Sequence, residues 1–273
     1  MAVPLPSVAV VIVTFNSRED IAPCLDAIVG RLEPLEATVT VVDNQSSDGT
    51  PQLIRARWPG VRVVEAGGNL GFARANNIGA RATSSDVVLF LNPDTVAAPG
   101  AIQALVTSLW NRADAAIAGP RLVDAHNRPE LSWGPPISPW GEFTQKVAGA
   151  FYQRGIGATV RRIERLSRTD RNVSWVSGAC LAARRLDLDA VGYFDERYFM
   201  YTEDVDLCVA MQARGRHVIY VAQAEVVHVR GQSASRHPET ERMRRLSQLA
   251  YYQKHHPAWA PVLRAYLRAT GKG

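Results

Sequence analysis

DVVLFLNPDT, from Asp86 to Thr95, reads as a strand that runs into a sharp stop. Val87–Leu91 is apolar without interruption, the pattern of a strand covered on both faces in the middle of a parallel sheet. Pro93 has no N–H for a ladder, so pairing is expected to end at Asn92-Pro93-Asp94. Asp94 then stands at the carboxyl end of a central strand, the edge where open α/β sheets bind ligands. Asn-Pro-Asp is also ordinary turn chemistry ahead of a helix opened at Pro99. The rest of the chain has to decide between the two.

Upstream, Ser7–Thr14 is a near-continuous Val/Ile run, a second buried strand, followed by a helical pattern from Glu19 to Leu32. The turn between them holds no glycine. A dinucleotide-binding G-x-G-x-x-G is therefore absent, which argues against a nicotinamide or flavin enzyme; no phosphate-cradling G-x-x-x-x-G-K-[ST] occurs either. Ala37–Val42 is a strand ending in Asp43-Asn44, Thr50-Pro51 opens a short helix to Trp58, and Val61–Glu65 is another strand. Phe72–Ala82 reads as a helix although Asn76, Asn77 and Gly79 are poor helix formers. A ligand-facing side would explain them; so would a bent helix. With a helix over Gly100–Asn111 and a strand at Ala115–Gly119, strand and helix alternate throughout, so residues 1–124 are expected to be one doubly wound α/β half.

Beyond Asp124 the pattern weakens. Residues 125–172 are rich in Pro, Gly, Trp and Arg and read as a long, mostly irregular segment, of the kind that usually has a function. Within it Val160, Ile163 and Leu166 stand at helical spacing among arginines, compatible with lying on an anionic surface. Val173–Ala183 reads as one strand with Gly178 at a close approach. Tyr193–Asp206 feeds a helix closed by Gly215, and His217–Ala222 and Glu225–Val229 are two further strands. Residues 125–235 are taken as the second half of the domain, and 236–273 as a basic helical region.

The 273 residues carry a net charge of +5, distributed unevenly. Six arginines against two acids lie between Arg154 and Arg171, and seven Lys or Arg against two acids between Glu239 and Gly273. Such segregation points to an anionic partner, or to two solvated helix faces. Cys24, Cys180 and Cys208 are odd in number and far apart, which suits a reducing cytosol. The start, MAVPLPSVAVVIVTF, has no basic n-region and no small-residue cleavage site, and no apolar run is long enough to span a bilayer. No groove-reading or base-stacking motif suggests a nucleic-acid partner.

Asp43, Asp94, Glu203-Asp204 and His228 are the groups that could converge. At 100° per residue, Asp204 shares a side with Val205, Cys208 and Met211, and Asp206 points roughly opposite, so Asp204 is expected inward and Asp206 in solvent. An inward carboxylate needs a partner or a function. Its structural alternative is helix N-terminal stabilisation, with Thr202 as cap.

Taken together, VTFN, VVDN, GNLGFARANN, FLNPDT, VSGACLAARR, FDERYFMYTEDVDLC and HVRGQS resemble the family 2 glycosyltransferases of the GT-A fold, and among them the bacterial rhamnosyltransferase-like members. The likeness spans about residues 7–235. It implies an inverting transferase with a doubly wound mixed sheet, a dTDP- or UDP-sugar donor, dTDP-rhamnose by likeness, and a divalent metal, Mg2+ or Mn2+. The implied acceptor is a saccharide or polyprenyl diphosphate-linked hydroxyl in cell-envelope polysaccharide synthesis, met by peripheral contact at the inner membrane face.

By the same likeness Thr14, Asn16 and Asp43 hold the nucleoside, and Asn69 and Asn77 line the donor pocket. Asn92 stands where the family's Asp-x-Asp has its first acid. Asp94 and His228 bind metal, Asp204 is the base beside Glu203 on the substrate side, and Trp175 and Gly178 lie near the acceptor. Asn92 removes one charge from that metal site. Two other readings are a degenerate, non-catalytic binder of carbohydrate or nucleotide on the same fold, and a nucleotidyltransferase. The latter usually has a Gly- and Lys-rich loop after its first strand, which Thr14-Phe15-Asn16-Ser17 does not resemble.

Overall fold

The two apolar runs lie side by side. In the computed structural model, which describes residues 4–229 and 238–270, β1 (Val8–Thr14) pairs in parallel with β4 (Val87–Leu91), Ile12 opposite Leu91. Their side chains alternate between two cores. Val8, Val10, Ile12, Leu89 and Leu91 enter one cluster, and Val11, Val13, Val88 and Phe90 the other. Burial on both faces is why these strands read as unbroken hydrophobic runs.

The N-terminal half continues with α1 (Ile21–Ile28), β2 (Ala37–Asp43), α2 (Thr50–Arg57), β3 (Arg62–Glu65) and α3 (Phe72–Arg81). After β4 come β5 (Thr95–Ala97), α4 (Ala101–Trp110) and β6 (Ala115–Val123). Next are β7 (Trp133–Gly134), α5 (Pro139–Gln153), α6 (Gly157–Ser167), β8 (Arg171–Val173), β9 (Trp175–Val176) and β10 (Cys180–Arg184). The chain ends with α7 (Arg185–Val191), α8 (Glu203–Ala213), β11 (His217–His228), α9 (Pro238–His255) and α10 (Ala260–Ala269). Among the described residues nine strands form one sheet, ordered β3-β2-β1-β4-β10-β6-β11-β5 with β8 on β11. β3, β2, β1 and β4 are parallel; β10 is antiparallel to β4 and β6, which makes the sheet mixed.

Several local expectations are corrected. Residues 125–172 contain α5 and α6 instead of a long irregular segment; the helical spacing of Val160, Ile163 and Leu166 falls in α6, whereas α5 shows no such signal because it is largely solvated. Val173–Ala183 is not one strand: β9 leaves the main sheet for β7, and only β10 returns to it. His217–His228 is a single strand, with a register shift between Val221 and Glu225 where the sequence suggested a break. Pairing does stop at Leu91 on β4, but the chain resumes it at Thr95 against β11. Gly79 settles the composition of α3. A Cβ there would lie 2.4 Å from Val11 Cγ1, so glycine lets the helix sit directly on the sheet. Gly215 closes α8 as expected: its N–H donates to Gln212 O and that of Arg216 to Met211 O, a Schellman pattern. The three cysteines are free and buried. No helix of the described residues is long and apolar enough to cross a membrane. Arg230–Ser233 of the HVRGQS motif, and the boundary drawn at 235/236, lie outside the described residues.

Candidate active site

The carboxyl ends of β1, β2 and β4 form one edge. Thr14 lies opposite Asp43 in register, and its Oγ1 donates to Asp43 Oδ1 at 3.0 Å. Ser46 N–H donates to Asp43 Oδ2 at 2.9 Å, so the buried carboxylate is fixed through both oxygens. Asn16, in the left-handed region at φ 51°, accepts from Ser47 N–H at 2.8 Å and knits the first two strand-end loops together. Asn69 is exposed at the rim. It is held by Asn44, whose Nδ2 donates to Asn69 Oδ1 at 2.9 Å and whose Oδ1 accepts from Leu70 N–H. Asn44 had no role in the sequence reading, although its neighbour Asp43 did. Asn77 does not open onto this edge. It is fully buried, its Nδ2 donates to Phe194 O and Glu196 Oε1, and its Oδ1 accepts from Phe194 N–H. It fastens the 194–196 segment to α3. Asn76 likewise donates to Phe72 O within its own helix.

Past β4 comes the Asn92-Pro93-Asp94 turn. Asn92 Oδ1 and Asp94 Oδ1 are both buried and make no well-formed hydrogen bond. β5 and β11 bring His228 opposite Thr95, which sets its Nε2 3.4 Å from Asp94 Oδ1. On its other side, His228 Nδ1 is 3.2 Å from Glu130 Oε2. Burial would lower the imidazole pKa, but the two carboxylates outweigh it and hold it at about 9. Glu130 was missed because it falls in the stretch that sequence periodicity left unassigned. Among the described residues no three His, Cys, Asp or Glu side chains are arranged to hold a metal. Asn92, Asp94 and His228 nonetheless offer two oxygens and one nitrogen, donor types that suit a divalent cation.

Next along the edge, Asn92 N–H donates to Ala179 O at 2.9 Å, which places Gly178 beside the Asn-Pro-Asp turn. Gly178 N–H donates to Asp204 Oδ2 at 2.7 Å, and Val205 N–H to Asp204 Oδ1 at 2.8 Å. A Cβ on Gly178 would come within 3.2 Å of Asp204 Cβ, so the missing side chain permits this approach. Burial raises the pKa of Asp204 against the lowering effect of these N–H groups. Glu203 is only 5% exposed, and its Oε2 has no partner. Burial first, and the adjacent Asp204 second, push its pKa well above the ordinary value. Tyr201 and Thr202, just before them, both have left-handed backbones at φ 70° and 75°. For a β-branched residue that is strained, and such strain gathers at functional sites. Thr202 occupies the N-cap but makes no side-chain cap bond. Trp175 is buried in the core and its Nε1 donates to Pro135 O at 3.0 Å, so it supports the β7–β9 pair and does not present an open face.

Asp206 overturns the helical-wheel expectation. It is 2% exposed, and it accepts from Tyr198 Oη (3.1 Å) and Lys254 Nζ (2.8 Å), with His255 Nε2 at 2.6 Å. The wheel assumed that α8 packs on one side only; α9 covers the other. Two cavities, of about 370 and 330 Å³, lie away from the strand-end edge, by Arg121–Arg168 and by Asp195–Lys254.

Residues 6–260 match the model for glycosyltransferase-like family 2. The chain is 37% identical over 252 residues to an N-acetylglucosaminyl-diphospho-decaprenol L-rhamnosyltransferase of Mycobacterium tuberculosis, covering 86% of this chain and 80% of that one. It is 28% identical over 230 residues to the low-salt glycan biosynthesis hexosyltransferase Agl10 of Haloferax volcanii, covering 82% and 66% respectively. Among solved structures, the mannosyltransferase PcManGT of Pyrobaculum calidifontis, in complex with GDP-Man and Mn2+, superposes with a TM-score of 0.63 at 20% identity, over 96% of this chain and 69% of that one. This last likeness concerns the fold.

Proposed function

Since the chain belongs to the family 2 glycosyltransferases, we propose that it moves L-rhamnose from dTDP-rhamnose to a hydroxyl of a polyprenyl diphosphate-linked saccharide, with inversion, at the cytoplasmic face of the membrane. The observation that carries this is the pairing of two unlike sites on one sheet edge. Asn92 Oδ1, buried without a hydrogen-bond partner, and Asp94 Oδ1, facing His228, belong to one, and the Asp204 carboxylate, held by Gly178 N–H, to the other. The likeness to a rhamnosyltransferase whose name specifies a decaprenol diphosphate-linked acceptor supports the choice of sugar and acceptor.

In this reading Asp43, steadied by Thr14 and Ser46, and the loop held by Asn16 grip the nucleoside. Asn92, Asp94 and His228 hold a divalent cation, with His228 giving up the proton it shares with its carboxylate neighbours. When bound, the cation supplies counter-charge to the diphosphate that leaves. Asp204 takes the proton from the acceptor hydroxyl as that oxygen attacks the anomeric carbon. Its raised pKa makes it a stronger base than an ordinary aspartate, while the Gly178 and Val205 N–H groups keep it oriented. Glu203, buried next to it in sequence, has its carboxyl pKa raised first by burial and then by Asp204.

The test is a thermal-shift panel of thymidine, uridine and guanosine diphosphates and dTDP-rhamnose, with and without Mg2+ or Mn2+. A ligand that binds only the folded chain at about 100 times its Kd stabilises by about 2.7 kcal/mol. The expected result is a metal-dependent rise in Tm for thymidine ligands above the others. A flat panel at saturating ligand would reject the donor site, and a shift without turnover would support the non-catalytic binder instead.

A further inference from the structure

α5 carries a solvent-exposed apolar stripe. Trp140, Val147 and Phe151 fall within about 40° of one another around the helix. They are 73%, 36% and 40% exposed. Ile156, 41% exposed, follows in the turn to α6. α6 packs against α5 and buries Ile163, which turns Arg161, Arg162 and Arg165 to solvent, with Arg168 exposed at its end and Glu164 the one acid among them. α10 begins with a second stripe, Trp259, Val262 and Tyr266, each more than half exposed. The two are neighbours. His256 Nε2 lies 2.8 Å from Ile137 O, and Trp140 and Trp259 each follow that contact by three residues.

Exposed indole rings and aliphatic groups, with exposed arginines on the adjoining helix, match the chemistry of an anionic bilayer surface. A protein partner would have to cover the apolar stripes and meet the cationic helix at the same time; a bilayer with acidic headgroups does both. The hairpin is also joined to the candidate site. β7, just before it, pairs with β9, and Ser177 N–H donates to Ser132 O one residue from Gly178.

We propose that the α5–α6 hairpin and the start of α10 seat the enzyme on an anionic lipid bilayer, the apolar stripes in the interfacial layer and the arginines on the headgroup phosphates. The reason for such a seat rests on the lipid-linked acceptor proposed above; the contact itself rests on the surface.

The experiment is co-sedimentation of the full chain with vesicles of mixed phosphatidylglycerol and phosphatidylcholine, and with phosphatidylcholine alone. The same is done for Trp140→Ser/Phe151→Ser and Arg161→Gln/Arg165→Gln. The chain is expected to pellet with the anionic vesicles and to bind phosphatidylcholine weakly. Each double variant should lose about tenfold or more in affinity, with an unchanged Tm and an unchanged shift by thymidine diphosphate. The proposal is overturned if the chain stays in solution with both vesicles, if the variants pellet like the parent, or if gel filtration shows that the stripe variants turn a dimer into a monomer without any vesicle effect. Vesicle binding without a nucleotide shift would keep the surface and sink the transferase reading. A nucleotide shift without vesicle binding would do the reverse.

Discussion

The carboxylates at the strand ends and those at the head of α8 are held in opposite ways. Asp43 is fixed by Thr14 and Ser46, small polar groups from the strand ends and loops of the sheet itself. Asp204 and Asp206 stand two residues apart on one helix and are gripped from opposite sides, Asp204 by the backbone of Gly178 and Asp206 by Lys254 and His255 of α9. Their neighbours show the same division. Burial pushes Glu203 up, whereas Asp195, although partly buried, is held below the ordinary carboxylate range by Lys254 and Arg197. The groove side of α8 is thus poised to carry a proton and the rear side to carry a permanent charge pair. A helix clamped at its rear can present a strained, desolvated N-terminus at its front.

The sharpest way to break this comparison is to neutralise the front alone. Asp204→Asn keeps the shape and the possibility of an N–H contact, but removes the base. Turnover is expected to fall by about 10²–10⁴-fold, with the Tm shift by thymidine diphosphate retained. Equal loss of turnover and nucleotide binding would show that Asp204 serves the donor side and would reject its role as base.

Attacking the rear should act on stability first. Asp206→Ala leaves Lys254, His255 and Tyr198 around an empty, buried position. Removing one partner of a buried ion pair costs about 3–5 kcal/mol, which for a domain of this size lowers Tm by on the order of 6–10 °C. Thermal denaturation measures it directly. A drop as small as that of a surface substitution would mean that α9 does not brace α8.

The contrast also explains what could be read from the sequence. The strand-end side was legible because Val8–Thr14 and Val87–Leu91 declare strands by composition alone, and parallel pairing then sends Thr14, Asp43 and Asp94 to one edge. Gly178 was legible as a close approach, though not what it approaches. Asp206 was misread because a helical wheel ranks faces by apolar content, and the rear face of α8 is packed by polar partners 48 and 49 residues away. Glu130 and α5 were hidden for a related reason, whereas the spacing of Val160, Ile163 and Leu166 did show α6. Exposed helices lack the one-sided burial that makes periodicity visible, and α5 shows apolar groups to solvent where a pattern reader expects polar ones. Asn77 and Trp175 were assigned by likeness to the groove, but their hydrogen bonds go to Phe194 and Pro135.

The smallest effect, and the one that tests the front most directly, is the pH dependence of stability at Glu203. Its carboxyl pKa is raised above the ordinary 4.5 by burial and by Asp204. Above pH 4.5 the unfolded chain therefore releases this proton while the folded chain keeps it. The folded state binds the extra proton, so its stability is greatest below that pH and declines as pH rises toward the raised value. The slope from one such group is at most about 1.4 kcal/mol per pH unit, or roughly 2–3 °C in Tm. Glu203→Gln has no proton to release. The Tm of the variant, measured without ligand between pH 5 and pH 8, should fall less steeply than that of the parent, so that the difference between them moves in favour of the variant as pH rises. Asp204, raised by its own burial, still titrates in both proteins, so that part of its shift cancels from the difference. Parallel curves would mean that Glu203 is ionised in the folded chain, and the head of α8 would then carry two negative charges instead of one.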